Sequence, residues 1–402
     1  MFTRTVLTRV ALGSAAALAL ATPMAAHADS SAPNGEDIAP LYQADSKSAI
    51  PGKYVVVLND NAGMAATNAV SSVAADVGAT VHKQYNSALN GFSATMDDAA
   101  VDELREDPRV AFIQADQVVH ATETQSPTPS WGLDRVDQEA LPADDSYTYN
   151  ETGTGVTAYI IDTGINAAHN DFGGRVGEGF SVIDGGPEDA NGHGTHVAGT
   201  VGGEKHGIAK EVALEPVRVL DENGSGSTSG VVEGVDWVAQ NASGPSVANM
   251  SLGGPSDPAL DEAVSGAIEA GVTFAVAAGN DNGADACGSS PASVPEAVTV
   301  ASTAKDDAAS DFSNGGSCVD LAAPGTDIKS DWIGGPDATN TISGTSMATP
   351  HVAGVAALYL EANPDAAPAD IATGLVDEAT PDVITGLPAD TPNLLLNYPQ
   401  DF

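Results

Sequence analysis

The chain has 402 residues, with 55 acidic against 14 basic side chains and a formal net charge of -41. So negative a chain would be repelled by nucleic-acid phosphates and by anionic membrane surfaces, while 42% hydrophobic residues supply a large core and argue against a wholly disordered chain. Two cysteines allow one intrachain disulfide and no zinc cluster of thiolates.

Arg4 and Arg9, an apolar stretch over residues 10–23 and the small-x-small Ala26-His-Ala28 read as a signal peptide over residues 1–28, removed on export. The stretch is short for a bilayer crossing and is interrupted by Gly13 and Ser14. No later segment is apolar for long enough to span, so the mature protein is expected outside the cell without stable membrane association, where a disulfide can persist.

Residues 29–120 read as a small α+β unit. Strands are expected over 53–58, 80–85, 91–96 and 110–113, a helix over 65–77, and a second helix capped by Asp97 and running through Leu104. A polar stretch over 121–130, carrying Pro127 and Pro129, separates this unit from the rest. Residues 131–402 then alternate strand and helix. Near-continuous apolar runs at 156–161, 212–219, 246–250, 272–277 and 298–301 suit parallel strands covered on both faces, with helices expected over 195–201, 229–240, 258–270 and 346–361. In such a fold function gathers at the carboxyl ends of the strands.

Three polar groups sit at those ends. Asp162 closes the first run within Ile160-Ile-Asp-Thr-Gly164; His193 lies in Asn191-Gly-His-Gly-Thr-His-Val-Ala-Gly199; Ser346 precedes an apolar helix in Gly344-Thr-Ser-Met-Ala-Thr-Pro350. A serine at a helix start gains positive backbone potential and a nearby N–H for an oxyanion. Taken singly, Asp162 and Ser346 are more often plain caps, and His193 with His196 has the spacing of a metal-ligand pair. Periodicity does not bring the three together.

Together the blocks resemble those of the subtilisin-like serine proteases, in particular the secreted proteinase K and aqualysin group. The order Asp, His, Ser is kept, and the likeness runs from Trp131-Gly-Leu to Asn393-Leu-Leu. The resemblance implies a mostly parallel α/β sheet flanked by helices and a peptidase working through Asp162, His193 and Ser346. It also implies an oxyanion donor at Asn280 and packing roles for His196 and His351, with His169 and His206 outside the chemistry. Residues 29–120 resemble the propeptide of these enzymes through Pro51-Gly-Lys-Tyr-Val-Val-Val57 and Asn90-Gly-Phe-Ser-Ala94. Such a segment would act as intramolecular chaperone and inhibitor, to be cut off autocatalytically between His120 and Glu123.

By the same resemblance Gly224-Ser225-Gly226 and Ser251-Leu252-Gly253-Gly254 are the two edges that bracket an extended peptide, and Ala277-Ala278-Gly279 lines the primary pocket. No charged residue stands in those blocks, which favours broad cleavage after apolar or aromatic residues of protein and peptide substrates. Cys287 and Cys318 match a disulfide of the aqualysin branch. Calcium is the implied cofactor, held by the Asp320 carboxylate and the carbonyls of Pro295 and Ala297. The mature form is expected to be a monomer. From residue 121 onward 42 acidic residues accompany 7 basic ones, a self-repulsion that salt would screen, as in adaptation to a saline medium.

Overall fold

A computed structural model describes residues 38–44, 49–59, 66–117 and 123–399. The signal peptide and the bond expected to be cut after His120 lie outside the described residues. Two compact units divide at Asp116 and Gln117.

The first unit contains β1 (Ala49–Leu58), α1 (Ala66–Asp76), β2 (Thr80–Tyr85), β3 (Gly91–Thr95), α2 (Asp98–Arg105) and β4 (Val110–Gln117). Its sheet runs in the order Leu41–Tyr42, β4, β1, β3, β2, with β3 antiparallel to both neighbours. The Asp97 carboxylate accepts from the Ala100 N–H at 2.9 Å and so caps α2, whose last turn carries Arg105 at the negative end of the helix dipole. Val56, Phe92, Leu104 and Ile113 fill the core between helices and sheet.

The second unit is built on β5 (Thr157–Asp162), α3 (His193–Gly202), β6 (Ala213–Arg218), α4 (Thr228–Asn241), β7 (Ser246–Met250), α5 (Pro258–Glu269), β8 (Thr273–Ala277), β9 (Val298–Thr303), β10 (Leu321–Pro324), β11 (Ile328–Asp331), β12 (Thr339–Ile342), α6 (Thr345–Ala362) and α7 (Pro368–Asp377). The central strands run parallel in the order β10, β9, β8, β7, β5, β6. Every residue of β7, β8 and β9 is buried. That is why these segments read as unbroken apolar runs: helices cover both faces, so neither alternate set needs to be polar.

Successive residues serve opposite layers. Ile160 packs with Val197, Val201, Val300 and Val352 beneath α3 and α6, while Ile161 packs with Val235, Val264 and Val276 beneath α4 and α5. A mostly parallel sheet flanked by helices, preceded by a smaller α+β unit, is therefore the architecture. Several strands lie outside the sequence reading, β10 and the members of two antiparallel pairs among them. Glu123–Gln125, within the polar stretch, pairs antiparallel with Tyr147–Tyr149, and β11 pairs antiparallel with β12. In both pairs the ladder rests on main-chain bonds that local composition does not announce.

Cys287 and Cys318 form a disulfide with Cα atoms 5.3 Å apart. Closing a loop of 31 residues restricts the unfolded chain by about 3–4 kcal/mol on chain-entropy grounds.

Candidate active site

Asp162 is the last residue of β5 and is fully buried. Its carboxylate accepts from the Thr163 N–H at 2.7 Å, and both oxygens face His193 Nδ1, at 2.8 and 3.0 Å. His193 opens α3, one residue inside the helix rather than before it. Burial opposes a charged imidazole, but the Asp162 charge and hydrogen bond outweigh it and hold the His193 pKa above its usual value. The other ring nitrogen is left for a reacting proton.

The turn leading into α3 is held by a residue that the motif reading passed over. The Asp189 carboxylate accepts from the N–H groups of Asn191, Gly192 and Thr195 and from the hydroxyls of Thr163 and Thr195, at 2.6–2.9 Å. Thr163 follows Asp162 and Gly192 precedes His193, so one buried carboxylate fixes both members of the pair. Its sequence signal is an aspartate a few residues before a helix start, which is weak alone.

Ser346 is the second residue of α6, so its backbone N–H belongs to the first helical turn and has no intrahelical carbonyl to bond. Four residues on, Pro350 lacks the N–H that would bond the Ser346 carbonyl. Ser251 supplies the missing donor: its hydroxyl gives a 2.8 Å bond to Ser346 O and accepts one of 2.9 Å from the Asn249 amide. In return the Ser346 hydroxyl donates to Ser251 O at 3.2 Å. The serine is thereby fastened to the end of β7.

Asn280 lies three residues beyond β8. Its side-chain oxygen accepts from the Thr345 N–H at 2.8 Å and the Thr345 hydroxyl at 3.1 Å. With the oxygen engaged, the amide NH2 is the end left to face the cavity that Asn280 shares with Ser346. That cavity, of about 480 Å³, is also lined by Ala277, Ala278 and Gly279. Gly279 has φ +102°, and a Cβ there would lie 2.4 Å from Asn314 Nδ2, so only glycine fits. Asp281, which the sequence reading did not include, lines the same space and accepts from Asn314 at 3.1 Å. A neighbouring cavity of about 830 Å³ is bordered by His193, Gly224, Ser225, Gly226, Ser251, Leu252, Gly253 and Gly254. Both expected peptide edges thus border one groove that His193 also lines.

The remaining histidines separate from this group. His196 has a partner of its own, donating through Nε2 to Ile328 O at 3.0 Å, and burial pushes its pKa down to about 3. The two therefore do not converge as a metal-ligand pair. His351, fully enclosed, donates to Met347 O and is pushed down to about 4 by burial.

Asp320 immediately precedes β10, and Pro295 and Ala297 lie in the turn before β9. The Asp320 carboxylate accepts from the Thr299 N–H at 2.7 Å. Burial pushes its pKa up to about 6 against that bond, and among the described residues no cationic side chain pairs with it. A desolvated carboxylate without a cation, next to a turn rich in carbonyls, is a donor set that suits a hard cation.

A profile of the subtilase family matches residues 153–394, and one of the peptidase inhibitor I9 family matches residues 53–122. The chain belongs to the subtilase family. An extracellular serine proteinase of Thermus sp. (strain Rt41A) is 50% identical over 382 residues, covering 90% of this chain and 93% of that protein. Alkaline serine exoprotease A of Vibrio alginolyticus is 48% identical over 363 residues, 86% of this chain and 67% of that one. Among solved structures, a cold adapted subtilisin-like serine proteinase superposes with a TM-score of 0.66 at 56% identity, covering 68% of this chain and 99% of the other. This subtilase is accordingly a subtilisin-like serine proteinase carrying an I9 propeptide domain, as the sequence motifs implied. Among the described residues no helix is long and apolar enough to cross a membrane.

Proposed function

We propose that this subtilase is a secreted endopeptidase that hydrolyses peptide bonds through an acyl-enzyme on Ser346. The observation that carries the reading is the buried Asp162 carboxylate facing His193 Nδ1 through both oxygens, beside a groove bordered by two glycine-rich segments. Asp162 fixes the tautomer in which Nδ1 carries the proton and Nε2 is the base. For attack, the Ser346 hydroxyl gives its proton to His193 Nε2 instead of sharing it with Ser251 O, and Oγ bonds to the substrate carbonyl carbon. The oxygen that becomes negative is met by the Ser346 N–H and the Asn280 amide. Collapse breaks the peptide bond and His193 returns the proton to the leaving amine. Water then repeats the sequence and frees the acyl group.

An extended peptide would add as a strand between Gly224-Ser225-Gly226 and Ser251-Leu252-Gly253-Gly254, so its backbone, more than its sequence, is read. Its primary side chain would enter the space lined by Ala277, Ala278 and Gly279, whose small walls suit apolar and aromatic groups. The I9 segment acts as chaperone and inhibitor until it is cut off beyond His120. The extracellular destination rests on the leader-like residues 1–28 and on the name of the Thermus relative.

An arylsulfonyl fluoride should label the purified mature protein once, on the peptide containing Ser346, and a peptide library should be cleaved internally after apolar and aromatic residues. Asn280→Ala should lower kcat by about 10²–10³ with little change in KM, the size found when the corresponding donor of a subtilisin is removed. A label elsewhere, or an Asn280→Ala rate within twofold of the parent, would contradict the assigned roles.

Calcium held by Asp320 and the carbonyls of Pro295 and Ala297 would brace the strand ends next to the disulfide and take no part in the chemistry. When calcium is removed at constant ionic strength, the initial rate in the cold should persist while heat inactivation accelerates. Bound at a hundred times its Kd, the ion would contribute about 2.7 kcal/mol. Asp320→Ala should reproduce most of that loss, and calcium alone should restore only the parent. Equal heat stability with and without calcium would remove this role.

A further inference from the structure

A second cluster of ionisable groups lies away from the groove. Asp171, on the short turn Asn170–Phe172, His206, four residues beyond α3, and Asp331, the last residue of β11, are all buried. Their ligand atoms lie within 4.8 Å of one another. His206 Nδ1 is 3.1 Å from Asp171 Oδ2 and 2.9 Å from Asp331 Oδ1. Asp171 is otherwise satisfied by the N–H groups of Lys205 at 2.8 Å and His206 at 3.2 Å.

Asp331 is different. Its side chain is 0% exposed, yet among the described residues neither carboxylate oxygen has a well-directed hydrogen bond, and its one close polar partner is His206 Nδ1 at 2.9 Å. A buried carboxylate without directed donors is costly to desolvate unless a cation is supplied, and short of a bound ion only a protonated His206 would supply one. The nearby guanidinium of Arg175 does not supply it: its nitrogens donate to Val212 O at 2.8 Å and to the backbone oxygen of Asp171 at 3.2 Å. Glycines make the room. A Cβ at Gly203 would fall 2.4 Å from Asp171 Oδ2 and 3.2 Å from Asp331 Oδ2, and one at Gly199 would fall 2.8 Å from Asp331 Oδ2. Both carboxylates therefore converge on the glycine-faced end of α3.

We propose that Asp171, His206 and Asp331 form a binding site for a divalent first-row transition ion, Zn²⁺ foremost. Two carboxylates with a neutral imidazole carry a charge of about -2, and with an imidazolium about -1; a dication beside a neutral imidazole brings the buried cluster to zero. One nitrogen and two oxygens form the mixed set that zinc and its neighbours accept, whereas calcium prefers oxygen alone. His169 borders the site, with Nδ1 3.7 Å from Asp331 Oδ1 and accepting from the Asp171 N–H at 3.3 Å, while Nε2 donates to Ala338 O at 2.9 Å. The ion would fasten β11 and the end of α3 to the turn that follows β5. His193 stands at the other end of α3 and Asp162 at the end of β5, so the site would be structural and would act on the pair only by holding its supports.

The test uses the mature protein with Ser346 blocked by a sulfonyl group, stripped of metal and kept in saturating calcium. Zinc and, for its visible spectrum, cobalt are then titrated in. One equivalent should bind and raise Tm, and the cobalt spectrum should be the same in a His193→Ala protein, which stays joined to its I9 segment, needs no sulfonyl block and is titrated in that form. Asp331→Asn, nearly isosteric, and His206→Gln should weaken binding by more than the roughly 10–100-fold that losing an outer partner of a metal ligand costs. Absorption fine structure of the zinc-loaded parent should give one imidazole nitrogen and carboxylate oxygens, a result that does not depend on the variants folding. Failure of the parent to bind, unchanged binding in Asp331→Asn, or loss of binding in His193→Ala would overturn the assignment.

Discussion

Replacing Ser346 by alanine should lower turnover by about 10⁶-fold and leave the I9 segment attached to the proteinase. The first figure is the loss that subtilisin, of the same family, shows for its serine. The second follows from the proposal that the chain is its own first substrate: the bond beyond His120 would then be cut by the nucleophile that later cuts other proteins. Intact mass after purification away from other proteases should give one chain beginning near Asp29 and still joined across residues 120–123, whereas the parent gives two species. The substitution removes one hydroxyl, and the hydrogen bond it takes away is the 3.2 Å bond to Ser251 O. The bond from the Ser251 hydroxyl to Ser346 O is retained, so folding should be almost unaffected. A normally processed chain from the alanine protein would exclude autocatalytic maturation even if the activity loss were as large as stated.

The strands under both helical layers were legible because complete burial leaves no polar alternation to confuse, and β7 matches its apolar run at both ends. β10 was not, since four residues ending in Pro324 carry too little pattern, and the β11–β12 hairpin takes its register from main-chain bonds that most side chains could serve. The same division holds in the active site. Asp162, His193 and Ser346 stand in motifs whose residue types are constrained by chemistry, and Asn280 stands beside a glycine that its turn requires. Asp189 and Thr345 work through backbone and side-chain hydrogen bonds to groups 2–66 positions away, and no local spacing encodes that. Ser251 was read as part of a peptide edge; its bond to the carbonyl orphaned by Pro350 becomes visible only when β7 and α6 are brought together. Likewise Asp171, His206 and Asp331 are scattered over three segments of sequence and meet only at the glycine face of α3.

Asp162→Asn should lower kcat by about 10⁴-fold while leaving the fold intact, and it should move the acid limb of the pH profile downward. An amide can occupy the carboxylate's place and still accept from the Thr163 N–H, but it presents an NH2 to the imidazole as readily as an oxygen, which favours the wrong tautomer. The pH shift follows from what sets the His193 pKa. In the parent, burial disfavours the imidazolium and the Asp162 charge more than compensates, so the pKa lies above its usual value. Activity requires the neutral base, and the acid limb of kcat/KM should therefore rise above the ordinary histidine value of about 6.5. With asparagine the attraction is gone and burial remains, so the residual activity should appear at lower pH even as its plateau falls. The measurement is kcat/KM for one extended peptide across the acid range, with thermal unfolding recorded on the same samples. A plateau loss with an unmoved limb would mean that Asp162 orients His193 without setting its charge, and a limb that moved upward would place the controlling charge elsewhere, Asp189 being the other carboxylate whose field raises this imidazole.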